Sequence, residues 1–439
     1  MAARLAAAAI LLISGIVAWL AMSVPLAARA LQVSIAVSMA YVAWLSWHGW
    51  RVMRGAMADA RSGAGEPTGL ALELAFVSLV MPARNEATVI GPSVAAMRRL
   101  AYAGPDGEPA YELLVVDDGS EDGTGDVARR TDGPAALRVV RREPGGARTK
   151  GAVLAFAMPY VRGQVVGVID ADTLAERSFL ERAMRGWGRD PSAAALQVAR
   201  QPWNASSWLT KAQAEEQLMD MASQCGRWAT DGTAELRGNG MFVRRDALES
   251  VGGWSDRALT EDLELSTRLS SAGHHITLAP EATVHEEAVE ALTALWRQRM
   301  RWAEGSLRRV LEQGPALLAG PQPLGRKLDF LAFAGEFVVP PLFVAAVVTS
   351  VLTIPMPRPA DWTVPLSLFM GYGLGTFVLA LAGLAATGER GLPLFGRAAR
   401  GAVFLSHWLV VVPAALVRIA LGGAPSFVQT PRSRTPSGR

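Results

Sequence analysis

The sequence predicts an α/β domain built on a doubly wound, largely parallel sheet and flanked by transmembrane helices. Three observations lead to this fold class. Short apolar runs alternate with helix-like segments through the middle of the 439-residue chain, which is typical of α/β domains. Each of the first three of these runs ends in polar or acidic residues. Long apolar runs occur only before residue 50 and after residue 327.

The chain begins with two long apolar runs, at 6–26 and 31–47. A helix needs about 20 residues to cross roughly 30 Å of hydrocarbon, and each run approaches or exceeds that length. The small residues on either side of Arg29 also fit a secretory cleavage site, so a removed signal peptide is the alternative for the first run. The second run directly behind it favours two retained spans, which we place at 1–50.

Basic residues follow the second run, at Arg51, Arg54 and Arg61. By the positive-inside rule this end of the span faces the cytoplasm. We therefore expect a multi-pass protein of the cell membrane, with its polar middle block (70–295) in the cytoplasm.

Three strands are predicted in the middle block, within 76–86, 111–120 and 163–172. The segment between the first two has the apolar spacing of a helix. In a doubly wound sheet, ligands bind beyond the carboxyl ends of the strands. Because all three strands end in acidic or polar residues, we expect a ligand site at this edge.

The third strand ends in two carboxylates, Asp170 and Asp172. Residues i and i+2 of a strand point to the same face, and like charges at that range repel each other. A divalent cation would remove the repulsion, since Mg²⁺ prefers one or two carboxylates together with substrate phosphates. The pair alone is a weak signal, because two acidic residues at this spacing also occur in turns and helix caps.

Two further acidic motifs have structural explanations of their own. Asp117 and Asp118, in VVDDGS, fit hydrogen bonds to a base or ribose, but an Asx-turn is the stronger explanation when the motif is taken alone. In TED, Thr260 is a good helix N-cap and Glu261 complements the helix dipole. Capping does not require Asp262, which is therefore a candidate general base.

An amphipathic basic helix is predicted in the region 296–326. Arginines that reach lipid headgroups at the membrane interface explain part of this pattern. They do not explain Gln298, Arg301 and Trp302 together, which lie at i, i+3 and i+4 and so share one face.

The C-terminal block is predicted as membrane-embedded at 327–421, followed by a tail at 422–439. Its three apolar runs are 330–354, 362–386 and 401–417. If all three crossed the membrane, the basic tail would lie outside the cell. The last run contains His407 and is followed by Arg418, so it either spans the membrane or lies in the interface.

Glu336 lies inside the first of these three runs. A carboxylate at membrane depth is expensive and is often functional. Packing against neighbouring helices near the cytoplasmic end of the span is the alternative.

Composition excludes several classes of protein. The formal charge is only +3, and no basic stripe is interleaved with aromatic residues, so nucleic acid is not an expected partner. The single cysteine, Cys225, excludes an intrachain disulfide framework and a multi-thiolate metal site.

Six motifs occur in one order along the chain: PARNE, VVDDGS, DAD, RGNGMFVRR, TED and QRMRW. Their order and rough spacing over 76–312 resemble those of membrane-embedded family 2 glycosyltransferases, the group that contains cellulose, chitin and hyaluronan synthases. The resemblance implies a GT-A fold, a UDP-sugar donor and inversion at the anomeric carbon. It places Asp117 or Asp118, together with Glu86, against the uridine, with Lys150 nearby.

The resemblance also implies a cofactor and a catalytic base. Asp170 and Asp172 would hold the diphosphate through Mg²⁺ or Mn²⁺. Asp262 would deprotonate the acceptor hydroxyl, with Glu261 beside it. Asn239, in GNG, would line the acceptor pocket.

In the same resemblance, Gln298, Arg301 and Trp302 would bind the diphosphate and close the acceptor site. The segment FVQTPR (427–432) loosely resembles a threonine-containing gating segment of this group. That role would require a cytoplasmic tail, and so it favours an interfacial last run.

The acceptor stays open at this point. RMRWAEGSLRRVL, with VHEEAV before it, looks most like bacterial enzymes that glucosylate diacylglycerol. The alternative is a processive polysaccharide synthase, of the β-glucan or poly-N-acetylglucosamine type, with an accessory membrane subunit as a further candidate partner. A membrane scaffold or sugar-nucleotide sensor without activity is a third reading, and the intact acidic motifs argue against it. An opening toward lipid would favour the glycolipid, and a polar, aromatic-lined channel would favour the polymer.

Overall fold

The computed structural model describes residues 2–62, 75–143, 145–356 and 362–423. The predicted FVQTPR segment therefore lies outside the described residues. The strands are β1 (Val77–Ala83), β2 (Tyr111–Asp117), β3 (Ala136–Arg141), β4 (Val165–Val168), β5 (Leu174–Ala175), β6 (Ala195–Pro202), β7 (Met241–Arg244) and β8 (Ile276–Glu286). The α-helices are α1 (Ala2–Ser23), α2 (Pro25–Ser62), α3 (Ile90–Met97), α4 (Thr124–Arg129), α5 (Lys150–Ala157), α6 (Phe179–Gly188), α7 (Trp208–Ala229), α8 (Arg245–Ser250), α9 (Glu261–Ser271), α10 (Leu292–Ala319), α11 (Leu324–Gly335), α12 (Val339–Thr353), α13 (Thr363–Ala386), α14 (Gly391–Leu405) and α15 (Trp408–Ala420).

The strands form one sheet in the order β3-β2-β1-β4-β7-β6-β8-β5. The first four strands in this order pair in parallel, and β6 pairs in parallel with β8. Only β7 and the short β5 run antiparallel to their neighbours. The predicted α/β fold with a largely parallel, doubly wound sheet is therefore confirmed.

Burial explains why the first strands read as continuous apolar runs. Every residue of β2 is buried, and β1 is buried at all but one position. Helices cover both faces of a parallel sheet, so both sets of side chains become apolar. One face packs around Tyr111 and Trp187, and the other packs around Met219 and Cys225.

The second of these cores continues into the membrane helices. Met53 of α2 and Leu384 of α13 pack in the same cluster as Met219 of α7. Glycines let α2 and α7 approach closely: a Cβ on Gly49 would come within 2.0 Å of a backbone oxygen of α7, and one on Gly226 within 2.3 Å of a backbone oxygen of α2. The α/β domain is thus packed directly onto the helices that flank it.

Five segments of the described chain are long and apolar enough to cross a membrane. They are Ala2–Ser23, Pro25–Arg61, Leu324–Thr353, Thr363–Ala386 and Gly391–Ala420, and each overlaps one of the predicted apolar runs. The second helix extends to Ser62, past the predicted boundary at residue 50. The third and fifth segments are each broken, between α11 and α12 and between α14 and α15.

The arginines of α10 mostly point into the protein, whereas the sequence suggested that part of this helix extends arginines to lipid headgroups. Arg299, Arg308 and Arg309 each form an ion pair with a buried or nearly buried glutamate. The partners are Glu216, Glu304 and Glu235, respectively. An unpaired buried arginine would be very costly, so these pairs account for most of the basic pattern of the helix.

Candidate active site

The predicted site residues surround a single cavity of about 1150 Å³. Its walls come from the carboxyl ends of β1, β2 and β4, from α9 and α10, and from the membrane helices. Of the residues predicted from the sequence, the lining contains Glu86, Asp118, Lys150, Asp170, Asp172, Asn239, Glu261, Asp262, Gln298, Arg301 and Trp302.

Asp117 is the predicted residue that does not line this cavity. It is buried, and its carboxylate accepts hydrogen bonds from the Ser120 backbone N–H (2.8 Å) and from Arg141 (3.0 Å). These bonds order the turn after β2, which is the structural explanation that the sequence also allowed. Asp118 does face the cavity, and Arg142 holds its carboxylate at 2.5 Å.

Asp170 and Asp172 lie in a turn after β4, which ends at Val168. Strand alternation therefore does not set their direction, and that part of the sequence argument is wrong. Asp172 is buried, with its carboxylate accepting a hydrogen bond from the Glu287 backbone N–H at 2.9 Å. Asp170 is partly exposed to the cavity, where Lys150 Nζ lies 2.5 Å from its Oδ1.

The residues around this turn fit a divalent cation that takes most of its ligands from the substrate. Within the described ranges, no group of three or more His, Cys, Asp and Glu side chains could hold a metal ion. The protein would therefore supply at most the two carboxylates of Asp170 and Asp172. That small set of hard oxygen ligands suits Mg²⁺ or Mn²⁺ bound together with diphosphate oxygens and water.

Lys150 connects three of the predicted motifs. Its Nζ donates to Asp170 and to the Gly238 carbonyl (2.6 Å), and it lies 3.7 Å from Glu261. Burial opposes a charge on Lys150, but the carboxylates of Asp170 and Glu261 outweigh that effect and raise its pKa. Lys150 therefore remains an ammonium among the carboxylates. It contacts Asp170, whereas the resemblance implied a position near the uridine.

Glu261 and Asp262 form the first turn of α9 and differ in their surroundings. Burial raises the pKa of Glu261 to about 7, against the opposing charge of Lys150 and with some help from Asp262. Asp262 faces the cavity, and a Cβ on Gly238 would come within 3.1 Å of its Oδ2. Gly238 thus leaves open space beside Asp262. Thr260 is the N-cap residue as predicted, but its side chain makes no capping hydrogen bond.

Asn239 is buried and positions its neighbours. Its Oδ1 accepts a hydrogen bond from the Asp170 backbone N–H (3.1 Å), and its Nδ2 donates to Glu286 (2.9 Å). Glu286 also accepts from Gln217 at 2.6 Å and was not predicted as a site residue. The signal was the acidic pair in VHEE at the end of β8, because a parallel strand that ends in carboxylates marks the ligand edge of the sheet.

Gln298, Arg301 and Trp302 line the cavity from one face of α10, as their spacing predicted. The sequence did not identify Arg299, which is buried behind them. Its guanidinium stacks 4.2 Å from the centroid of the Trp302 ring, pairs with Glu216, and contacts the ring of Trp408. Arg299 therefore fixes the tryptophan of the motif against α7 and α15.

The far end of the cavity enters the helical block. Its aliphatic lining comes from α2, α12 and α13 and includes Leu31, Ile35, Met39, Val42, Leu342 and Leu368. A few polar side chains interrupt this lining. One of them is the carboxylate of Glu336, which lies between α11 and α12. One continuous space thus joins the acidic motifs to an apolar region among the candidate spans.

A family model described as glycosyltransferase like family 2 matches residues 75–305. Over 407 residues the chain is 32% identical to a beta-monoglucosyldiacylglycerol synthase from a Synechocystis species, covering 88% of this chain and 83% of the relative. It is 26% identical to a poly-beta-1,6-N-acetyl-D-glucosamine synthase from Staphylococcus aureus, covering 53% and 55% of the two chains.

Among solved structures, the fold resembles that of a mannosyltransferase from Pyrobaculum calidifontis in complex with GDP-Man and Mn²⁺. The TM-score is 0.51 at 21% identity, and the match covers 88% of this chain and 99% of the other. This likeness supports the sheet topology described above.

Proposed function

The chain belongs to glycosyltransferase-like family 2, and we propose that it is an inverting enzyme that moves a hexose from a UDP-sugar to the hydroxyl of a membrane lipid of the diacylglycerol class. The observation that carries this proposal is the cavity that joins the acidic motifs to the apolar interior of the helical block. A lipid acceptor must bring its hydroxyl to the catalytic carboxylate while its acyl chains stay in an apolar environment. The shape and lining of the cavity meet both needs.

The nucleotide would bind at the cationic end of the cavity. Arg84 and Arg148 line this end, near Asp118 and Lys150. A bound Mg²⁺ or Mn²⁺, held by the carboxylates of the D-x-D turn, would neutralise charge on the departing diphosphate. Arg301 would add a second positive charge, in the manner of preorganised electrostatic stabilisation.

Asp262 is the group that we assign as general base. Its carboxylate faces the cavity beside Gly238, where an acceptor hydroxyl has room to approach. Glu261 is buried and forms an ion pair with Lys150, so its carboxylate is less accessible to an acceptor hydroxyl than that of Asp262. Asp262 would take the hydroxyl proton as the oxygen attacks the anomeric carbon from the side opposite the diphosphate.

The relatives support a glycolipid product. The match to the beta-monoglucosyldiacylglycerol synthase extends over most of both chains and so reaches into the membrane helices. The match to the poly-N-acetylglucosamine synthase covers about half of each chain. A processive synthase remains the second candidate, and the aromatic side chains Tyr41, Tyr372 and Trp302 along the cavity are the features that favour it.

The proposal places the enzyme in the cell membrane with its α/β domain in the cytoplasm. The UDP-sugar is a cytoplasmic substrate, and the basic residues at the end of α2 suit that side of the membrane. The acceptor hydroxyl would then be glycosylated at the cytoplasmic leaflet.

The test is a product analysis with purified protein in lipid nanodiscs that contain diacylglycerol. Radiolabelled UDP-glucose and UDP-N-acetylglucosamine are supplied in turn with Mg²⁺ or Mn²⁺, and the products are partitioned between chloroform and water. We expect label in the chloroform phase with one of the two donors. Label only in a high-molecular-weight aqueous product would contradict the lipid acceptor, and no product with any donor would contradict the activity.

A further inference from the structure

Glu336 is a carboxylate inside the helical block that the proposed catalytic steps do not use. It follows α11 at the break before α12 and lines the cavity. No residue in the described part of the chain donates a hydrogen bond to its carboxylate or forms an ion pair with it. A carboxylate at this depth is costly to keep unless something occupies its acceptor sites.

Five hydroxyl groups of the membrane helices that line the cavity with Glu336 donate their protons to other acceptors. The Tyr41 hydroxyl donates to Asp329 (3.1 Å), and the Tyr372 hydroxyl donates to the Leu405 carbonyl (3.1 Å). The hydroxyls of Ser34, Ser38 and Thr376 donate to carbonyls of the preceding turn of their own helices. What these groups offer to the cavity is therefore oxygen lone pairs, which accept hydrogen bonds.

The nearby cations do not neutralise Glu336, because each is already paired. Arg227 pairs with Asp329 and Glu235, and Arg237 pairs with Asp220 and Glu235. This end of the cavity is thus acidic and rich in acceptors, whereas Arg84 and Arg148 line the end that carries Asp118. A ligand that fits here must donate hydrogen bonds and must not carry a negative charge.

We infer that Glu336 and the surrounding hydroxyl oxygens form a binding site for the hydroxyl-bearing head of a neutral lipid acceptor, and that this site rejects phosphorylated lipids. The inference rests on the proposed function and specifies its acceptor class. Glu336 is a positioning and specificity residue that orients the glycerol hydroxyl before it reaches Asp262. A glutamine at this position would keep the size of the side chain but replace one of its two oxygens with an NH₂ donor, so it offers fewer acceptor sites to a hydroxyl.

The test compares wild-type protein with Glu336→Gln, using Glu312→Gln as the matched control. Glu312 is an exposed glutamate of α10 whose nearest cation, Arg308, lies 4.0 Å away. In nanodiscs with diacylglycerol, we expect Glu336→Gln to raise the KM for the lipid about tenfold, the loss typical of one hydrogen bond. The KM for the UDP-sugar and UDP binding should not change, and this also shows that the variant is folded.

Binding without turnover gives a second readout, from native mass spectrometry of diacylglycerol complexes in the absence of donor. We expect Glu336→Gln to weaken this binding by a similar factor, and wild-type protein to bind neither phosphatidic acid nor a polyprenyl phosphate in this way. Unchanged lipid KM and binding in Glu336→Gln, or equal use of a phosphorylated lipid, would overturn the site. Glu336-dependent binding of diacylglycerol without any transfer would instead overturn the proposed function and leave the site standing.

Discussion

At the scale of single residues, the centre of the site is a group of carboxylates held by one ammonium. Lys150 contacts Asp170 and lies near Glu261, and both carboxylates raise its pKa. Asp262 is adjacent but faces the cavity rather than the lysine. This separation gives the two residues of the first turn of α9 different tasks: Glu261 holds Lys150, and Asp262 is available to an acceptor.

Replacing Asp262 tests the assignment of the base. We expect Asp262→Asn to lower turnover by about a hundredfold to ten-thousandfold, the usual contribution of a general base. UDP binding, measured by calorimetry, should stay near the wild-type value because the nucleotide end of the cavity is unchanged. Asp256→Asn is the matched control, since this aspartate is exposed on the surface. Turnover close to wild type in Asp262→Asn would remove it as the base.

The raised pKa of Glu261 predicts a pH dependence of stability. In the folded protein this pKa is about 7, against an ordinary value of 4.5. The folded state therefore binds the proton more tightly, so its contribution to stability is complete below pH 4.5 and is lost as the pH rises through 7. The total effect is about 3 kcal/mol.

Thermal unfolding in detergent across this pH range measures the effect of Glu261. We expect Glu261→Gln, which cannot ionise, to unfold at a midpoint that falls less than the wild-type midpoint between pH 5 and pH 7. Identical pH profiles for the two proteins would show that Glu261 titrates at its ordinary value.

At the scale of elements, α10 is the connection between the sheet and the helical block. One face of α10 presents Gln298, Arg301 and Trp302 to the cavity. Arg299 connects α10 to the neighbouring helices through Glu216 of α7 and Trp408 of α15. A displacement of α7 or α15 would therefore move Arg299, and with it the Trp302 ring on which its guanidinium stacks.

Breaking the buried Arg299–Glu216 pair tests this connection. We expect Arg299→Ala to cost about 3–5 kcal/mol, because it leaves Glu216 buried without its counterion. It should also weaken transfer, since Trp302 loses the guanidinium that packs against its ring. Unfolding midpoint and turnover are measured beside Arg185→Ala, an exposed pair with Glu181 that should cost less than about 1 kcal/mol. Equal effects of the two substitutions would contradict the structural role of Arg299.

The sequence could predict the site residues but not all of their arrangement. Asp170 and Asp262 were identifiable because each lies at the start or end of a predicted element, and Arg301 because it shares one face of a helix with Gln298 and Trp302. Lys150 could not be placed among the carboxylates, since its contacts depend on where α5 meets α9 across the sheet. Arg299 read as an interfacial arginine because its partner is 83 residues away in sequence.

At the scale of the whole molecule, the contacts of α15 bear on the number of membrane crossings, which composition left open. Near its start, Trp408 donates to Glu216 at 3.3 Å, and near its end Arg418 pairs with Glu304 of α10 at 3.4 Å. Just after the helix, the Gly423 carbonyl accepts a hydrogen bond from Arg308 at 2.9 Å. Both ends of α15 therefore contact the catalytic side, and a helix of 13 residues is too short to cross and return.

We therefore expect four membrane crossings, with both chain ends in the cytoplasm. Arg4 of α1 donates to the Ala420 carbonyl, which places the start of the first span beside the end of α15. An impermeant thiol reagent tests this topology in intact cells. A cysteine at Met356, after α12, should be labelled, and a cysteine at Arg439 should be labelled only after the membrane is opened.

The native Cys225 is buried in the core and should contribute little background to this assay. Labelling of the Arg439→Cys protein in intact cells would place the tail outside and make the last apolar segment a fifth crossing.

The central claim is that the cavity brings a lipid, rather than a growing glycan, to Asp262. Mass spectrometry of the lipid fraction tests it most directly, after purified protein in diacylglycerol nanodiscs has turned over a UDP-hexose. We expect one product, diacylglycerol carrying a hexose, which is absent with Asp262→Asn. A ladder of free oligosaccharides with unmodified diacylglycerol would contradict it.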